Sequence, residues 1–247
     1  MKQTFFLSVS ETIDKTNLCL KERKSKEIEI KHFYIDADNA KQMKKDEGDY
    51  FTITFSENTL YKDYETPKLK GEIKKILKQF VKKYHKGGTI LIIGLGNSSV
   101  SADAFGVNVT NQIIATNHYN DFLTVPKVAL FNPEVTEKTG ISSYKLIQMV
   151  VTDLNPDFII VVDSLATHHS EYVNRTVEIN DCGIIPGSAL RDNKEITRKT
   201  VGRPVISIGG TFIFKSDEGL FTKVNTEEDM AVISKLVASS LNEIILS

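Results

Sequence analysis

Two aspartates stand where a folded chain could use them as an acid–base pair. Asp103 ends the stretch GLGNSSVSAD, which grows out of the apolar TILIIG, and Asp163 closes the apolar run DFIIVVD. An acid at the first turn of a helix is favoured by backbone N–H groups and the helix dipole, the setting expected for Asp103. An acid at the end of a buried strand is costly unless it faces a cleft or finds donors, the setting expected for Asp163. Unequal settings separate the pKa values of two carboxyls. One can then stay ionised to activate water while the other donates a proton to a leaving group. The plainer reading leaves Asp103 as a helix cap and Asp163 as a strand-end turn former.

Other chemistries fit the same stretches less well. Gly94 and Gly96 match the first two glycines of a dinucleotide fingerprint, but Ser99 holds the third position and no acid ends the following strand. Asp103 would also bring negative charge to a pyrophosphate. Asp163, Ser164 and His168 include residue types of a nucleophile triad, yet no serine lies in a nucleophile-elbow pattern. Asp103, Asp163 and one of His168 and His169 could hold zinc or nickel, because carboxylate and imidazole suit both. The alternative is that both histidines are partly exposed helix residues. Cys182 has no supporting motif and reads as a packed thiol.

Positioning such a pair falls to an alternation of strands and helices. Strand patterns cover Glu27–Asp36 and Asp49–Ser56, with a turn or two of helix between them before Gly48. Leu69, Ile73, Ile76, Leu77, Phe80 and Val81 give Lys68–Tyr84 an amphipathic helical spacing. Thr89–Leu95 reads as a strand, Ala102–Thr116 as a helix, Val125–Phe131 as a strand and Ser142–Leu154 as a helix, with Ser142 or Ser143 near its cap and Asn155-Pro156 after its end. DFIIVVD is apolar enough for a strand buried on both faces. Thr176–Ile179 and Pro204–Gly209 are further strands, and Glu227–Leu246 is a closing helix. This order predicts an α/β layered domain with a mostly parallel sheet. The early strands either extend that sheet at one edge or form an antiparallel subdomain. In such sheets ligands collect beyond the carboxyl ends of the strands. Three loops hold that position: Gly96–Asp103, Asp163–His169 and Gly209–Phe212.

Composition narrows the partners. The 247 residues are 40% hydrophobic and 26% charged, with a net charge of −1. That balance gives no electrostatic reason to expect nucleic acid or an anionic membrane. The lysine-rich Lys68–Lys86 segment reads as a solvated helix face. Cys19 and Cys182 lack a metal-ligand spacing and fit a reducing cytoplasm. Neither a signal-peptide core nor a bilayer-spanning run is present.

The ordered series GLGN-x5-DAFG, PDFIIVVDSLA, DCGIIPGS and TVGRPVISIG is similar to the germination protease family of spore-forming bacteria. The corresponding family segments read GLGN-x5-DALG, PDFVIAVDALA, DTGIHPGSG and TLGIPVIAIG. TNLCLKE and EGDYFTITF add further likeness, so the resemblance covers most of the chain. It implies a three-layer α/β fold like that of the hydrogenase-maturation proteases. It also implies an atypical aspartic endopeptidase that cleaves small acid-soluble spore proteins during germination.

By that resemblance Asp103 and Asp163 are the catalytic acids. Gly96, Asn97, His168, Gly183, Pro186, Gly187 and Ser188 line or support the substrate cleft. No cofactor or metal is implied, although maturation proteases place a metal-binding acid at positions equivalent to this pair. The resemblance further implies a zymogen with a leader near residues 1–15, a peptidase domain over 16–247, a homotetramer, and a cytoplasmic place in the forespore or spore core. His168 stands where the family carries arginine, and the segment from Gly210 to Asn225 is shorter than in the family. These departures keep open a metal-dependent maturation-type peptidase and a catalytically silent scaffold or regulator.

Overall fold

Side chains alternate along the central strands and sort the core into two faces. Along Thr89–Gly94, Ile90 and Ile92 belong to one hydrophobic cluster, while Leu91 and Ile93 belong to another. The same division separates Phe158, Ile160 and Val162 from Ile159 and Val161. Period-two alternation with both sets apolar is what a strand buried on both faces requires. Each fully buried Ile or Phe contributes roughly 1.5–3 kcal/mol through removal of its surface from water. The computed structural model describes residues 19–43, 45–63, 65–122, 124–185 and 195–246.

The strands are β1 (Cys19–Lys24), β2 (Ile28–Ile35), β3 (Gly48–Phe55), β4 (Thr89–Gly94), β5 (Lys127–Phe131), β6 (Phe158–Thr167), β7 (Thr176–Asn180), β8 (Val205–Ser216) and β9 (Gly219–Phe221). They form one sheet in the order β1-β2-β3-β7-β8-β6-β4-β5, with β9 paired to β8. Pairing is parallel from β8 through β6 and β4 to β5, and antiparallel from β1 through β2, β3 and β7 to β8. The early strands therefore extend the sheet at one edge. The expected parallel character is confined to the half built from β4, β5, β6 and β8; the rest makes the sheet mixed.

The helices are α1 (Ala37–Met43), α2 (Glu65–Tyr84), α3 (Phe105–Thr110), α4 (Ser143–Leu154) and α5 (Thr226–Ile245), with single turns at Thr136–Thr139 and Arg198–Val201. Helices α2, α3 and α5 cover one face of the sheet and α4 covers the other. This is a three-layer α/β arrangement. As the sequence predicts, Ser142 caps α4 by accepting the Lys145 N–H, and Asn155 in the left-handed region ends it before Pro156.

Four elements depart from expectation, and the first three bear on the acids. The helix expected over Ala102–Thr116 is a 3-10 turn at Ser101–Asp103 followed by the short α3. Beyond α3 the Ile114 N–H donates to Asn242 Oδ1, and Asn242 Nδ2 donates to the Gln112 carbonyl. A side chain of α5 thus takes over groups that further helix would have satisfied. β6 continues past Asp163 to Thr167, and β8 past Gly209 to Ser216, because the two strands go on pairing through Thr167 and Phe214. Lastly β1, too charged to read as a strand, forms by pairing with β2 at the sheet edge.

Candidate active site

The carboxyl end of β4 is where the two acids come within reach. β4 stops at Gly94, whose partner on β6 is Val162. Asp163 is therefore the first β6 residue beyond the last β4 pair, and on its other side it faces Gly209 of β8. The Ser101–Asp103 turn packs on β6, β8 and α5, and Ser101 Oγ ties it to α5 by donating to Glu227 Oε1 at 2.7 Å.

The glycines of this stretch allow the close approach. At Gly96 φ is +110°, and a Cβ there would lie 1.8 Å from the Asp103 carbonyl oxygen. At Gly106 a Cβ would lie 2.3 Å from the Val162 carbonyl, so α3 packs its backbone directly on β6. The glycine pattern serves this backbone contact. With Asp103 folded back on Gly96, the loop has no phosphate cradle to offer.

The surroundings of the acids differ. Asp103 lies in the 3-10 turn before α3 instead of the first turn of a helix. Its Oδ2 accepts the Asn97 N–H at 2.8 Å, and Asn97 Oδ1 in turn accepts the Ser99 N–H at 2.9 Å. Desolvation raises the Asp103 pKa, the Asn97 bond opposes this, and the nearby charge of Glu134 adds to it. Asp163 lies within β6 and is 4% exposed, its Oδ1 accepting the adjacent Ser164 N–H at 2.9 Å. Desolvation raises its pKa well above the usual carboxylate value; the Asp103 charge raises it further, against the Ser164 bond. Burial thus raises the proton affinity of both acids, and at Asp163 the Asp103 charge adds to it.

Glu134 is a third carboxylate of this neighbourhood that motif reasoning passed over. It lies just beyond β5, in FNPEV, and the strand-end rule applied to that strand would have found it. Its Oε2 accepts the Ser98 N–H at 3.4 Å, and its Oε1 pairs with Lys138 Nζ at 3.2 Å. Partial burial opposes ionisation, but the Ser98 and Lys138 interactions hold Glu134 below the usual carboxylate range.

The remaining expected site residues are spread more widely. Gly96 and Asn97 are at the pair. His168 is not: it follows the end of β6 five positions after Asp163, roughly 16 Å along an extended strand. There its Nδ1–H donates to the Lys215 carbonyl at 2.9 Å. His169 is exposed beside Glu171. Gly183 follows β7, whose last residue Asn180 pairs with Ser207 below the level of Gly209, and its N–H donates to Asn180 Oδ1 at 3.2 Å. Pro186, Gly187 and Ser188 lie outside the described residues. Cys182 is buried, with its Sγ on the Glu47 carbonyl and burial pushing the thiol pKa up, as a packed thiol should be.

The donor set does not suit a metal. All five histidines of the chain are described. Besides His168 and His169, they are His32 on Asp49, His85 near Asp157, and His118 against Tyr119. Among the described residues no three His, Cys, Asp or Glu side chains gather as metal ligands. Zinc or nickel would need imidazole or thiolate beside the two aspartates, and neither histidine of the HHS segment reaches them. Among the described residues, no helix is long and apolar enough to cross a membrane.

Comparison with known proteins gives one consistent relation. The family profile described as germination protease matches residues 6–216. The germination protease of Oceanobacillus iheyensis is 34% identical over 211 residues, 81% of this chain and 57% of its own length. That of Priestia megaterium is 34% identical over 204 residues, 77% of this chain and 54% of its own. The chain thus spans a little over half the length of these relatives. Among solved structures, a [NiFe] hydrogenase maturation protease, HycI, from Thermococcus kodakarensis is similar over 67% of this chain and 98% of its own, at 20% identity and a TM-score of 0.41.

Proposed function

The chain belongs to the germination protease family, and on that premise we propose that it is an endopeptidase of spore germination in which Asp103 and Asp163 carry the hydrolysis. The observation behind this reading is the placement of both acids at the carboxyl end of β4, with Asp163 just past the last β4 pair and the turn of Asp103 packed on β6; burial, and then the Asp103 charge, favour the protonated form of Asp163. Like charges at close range leave a carboxyl pair sharing one proton, the state that aspartic hydrolysis needs.

Roles follow from the surroundings. Asp103, ionised and held by the Asn97 N–H, is the general base that takes a proton from the attacking water. The hydroxide so formed adds to the peptide carbonyl carbon. Asp163, protonated by virtue of its burial, supplies the proton that the amide nitrogen needs to leave as an amine. The proton taken by Asp103 replaces the one given by Asp163, so a peptide bond and one water become a carboxylic acid and an amine with the pair's proton count unchanged.

The substrates in this reading are small acid-soluble spore proteins, which as extended chains could be threaded past the end of β4. Assembly as a homotetramer and removal of a leader near residues 1–15 belong to the same proposal. The deciding experiment is cleavage of a spore-protein substrate by the full chain and by Asp103→Asn and Asp163→Asn. Loss of turnover in both, with the fold retained, supports the pair; turnover near wild type in either ends it. A chelator that stops turnover would instead favour metal-dependent hydrolysis. No detectable cleavage by the unmodified or leader-cleaved chain would favour a silent paralogue.

A further inference from the structure

We propose that Glu134 is a positioning residue for Asp103, acting with Lys138 to hold the Asn97–Ser99 loop in place; the role in catalysis rests on the acid-pair reading above. Glu134 has φ +58°, one of three non-glycine residues with positive φ among those described. A glutamate gains nothing locally from the left-handed region and costs about 1 kcal/mol or more there. Tertiary contacts must therefore hold it. Its carbonyl accepts Ser143 Oγ–H at 2.6 Å, from a serine that is 1% exposed in the first turn of α4. That anchor fixes the backbone of Glu134 to the layer behind the sheet.

So fixed, Glu134 meets the loop from two directions. Its Oε2 takes the Ser98 N–H, while Lys138, paired with its Oε1, donates from Nζ to Ser98 Oγ at 2.6 Å. Ser98 is thus gripped at its backbone and its side chain. The preceding residue, Asn97, supplies the N–H on Asp103 Oδ2. A chain of contacts leads from the buried Ser143 through Glu134 and Ser98 to the bond that orients Asp103, so Glu134 acts on Asp103 through the loop. The charged groups around Asp103 are Glu134 with Lys138 after β5, Asp163 on β6, and Glu227 on α5, which reaches the turn through Ser101.

The test uses the full chain with Glu134→Gly and Glu134→Gln, read by amide hydrogen exchange and by turnover. Glycine accepts φ +58° without strain, so Glu134→Gly should fold at least as stably as the parent while losing the carboxylate. The expected result is faster exchange at the Ser98 and Asn97 amides, with kcat lowered severalfold and KM unchanged. Glutamine keeps an acceptor for the Ser98 N–H and should restore part of the protection and of kcat. Removing the Glu134 charge while keeping the loop contact should also move the acid limb of the pH profile to lower pH in Glu134→Gln. Unchanged amide exchange in Glu134→Gly overturns the proposal whatever the turnover, and faster exchange with unchanged kcat overturns the positioning role. If Asp103→Asn and Asp163→Asn remain active, the catalytic reading fails separately, and the exchange data still decide whether Glu134 pins the loop.

Discussion

Asp163, buried within β6, and Asp103, in the 3-10 turn packed on that strand, share the carboxyl end of β4, where burial and then the Asp103 charge favour the protonated form of Asp163. The relationship is unequal. Asp103 keeps a backbone N–H from a neighbouring loop and is partly accessible, whereas Asp163 is enclosed by the sheet. Inequality of this kind lets two chemically identical groups take opposite roles.

Neutralising either acid should lower kcat by about 10²–10⁴-fold, the usual contribution of a positioned acid or base. Circular dichroism of Asp103→Asn and Asp163→Asn should match the parent, since asparagine preserves shape. Turnover of an unstructured polypeptide substrate is the measurement, and a loss confined to KM would argue against a role in the chemical step.

Asp163→Asn should be more stable than the parent at neutral pH, and this advantage should fade in acid. The folded protein raises the pKa of Asp163 above its ordinary value of 3.8. Between the unfolded and folded pKa values the native state binds more protons than the unfolded chain. Parent stability therefore falls as pH rises through that window, and asparagine has no such dependence. Urea midpoints of both proteins from acid to neutral pH test this; a difference that does not grow with pH would mean that Asp163 ionises freely.

Gly96→Ala should cost about 2 kcal/mol or more in unfolding free energy, because φ is +110° and the new Cβ would meet the Asp103 carbonyl at 1.8 Å. Relief of that clash has to displace Asp103, so activity should fall along with the denaturation midpoint. An active variant of parental stability would show that the turn is looser than described.

Asp229→Ala should be the most damaging change remote from the acids, at about 3 kcal/mol by chemical denaturation. Asp229 is 1% exposed and accepts from Tyr61 Oη at 2.6 Å, Asn174 Nδ2 at 2.9 Å and Arg175 Nη1 at 3.4 Å. Its loss leaves the buried Arg175 with the exposed Glu57 at 3.1 Å, which moderates the cost. Adding Arg175→Met should recover part of it, whereas strict additivity would argue against a shared network.

Periodicity and local chemistry in the sequence were enough to identify the strands of the parallel half, the helix α4 with its cap and stop, and both aspartates. Each of those features is written within a window of a few residues, where apolar alternation, a serine cap or an Asn-Pro stop acts directly on the backbone. The edge strand β1 was illegible because its charged CLKERK pattern forms a strand only by borrowing hydrogen bonds from β2. The true extents of β6 and β8 were hidden likewise, since each is prolonged by the other. Gly96, Asn97 and the two acids could be singled out from the sequence, but the separation of His168 from Asp163 was not readable until β6 was known to continue to Thr167.

The sequence by itself determined that each of two aspartates is joined to an apolar strand segment, and that glycines near Asp103 permit tight packing. Only the tertiary structure decided that Asp163 stands just past the last β4 pair, that the turn bearing Asp103 packs beside it, and that Glu134 reaches the same loop from beyond β5. The physical reason is that a carboxyl takes its proton affinity from desolvation and from neighbouring charges. Both are set by residues far apart along the chain, and neither exists until the sheet has assembled.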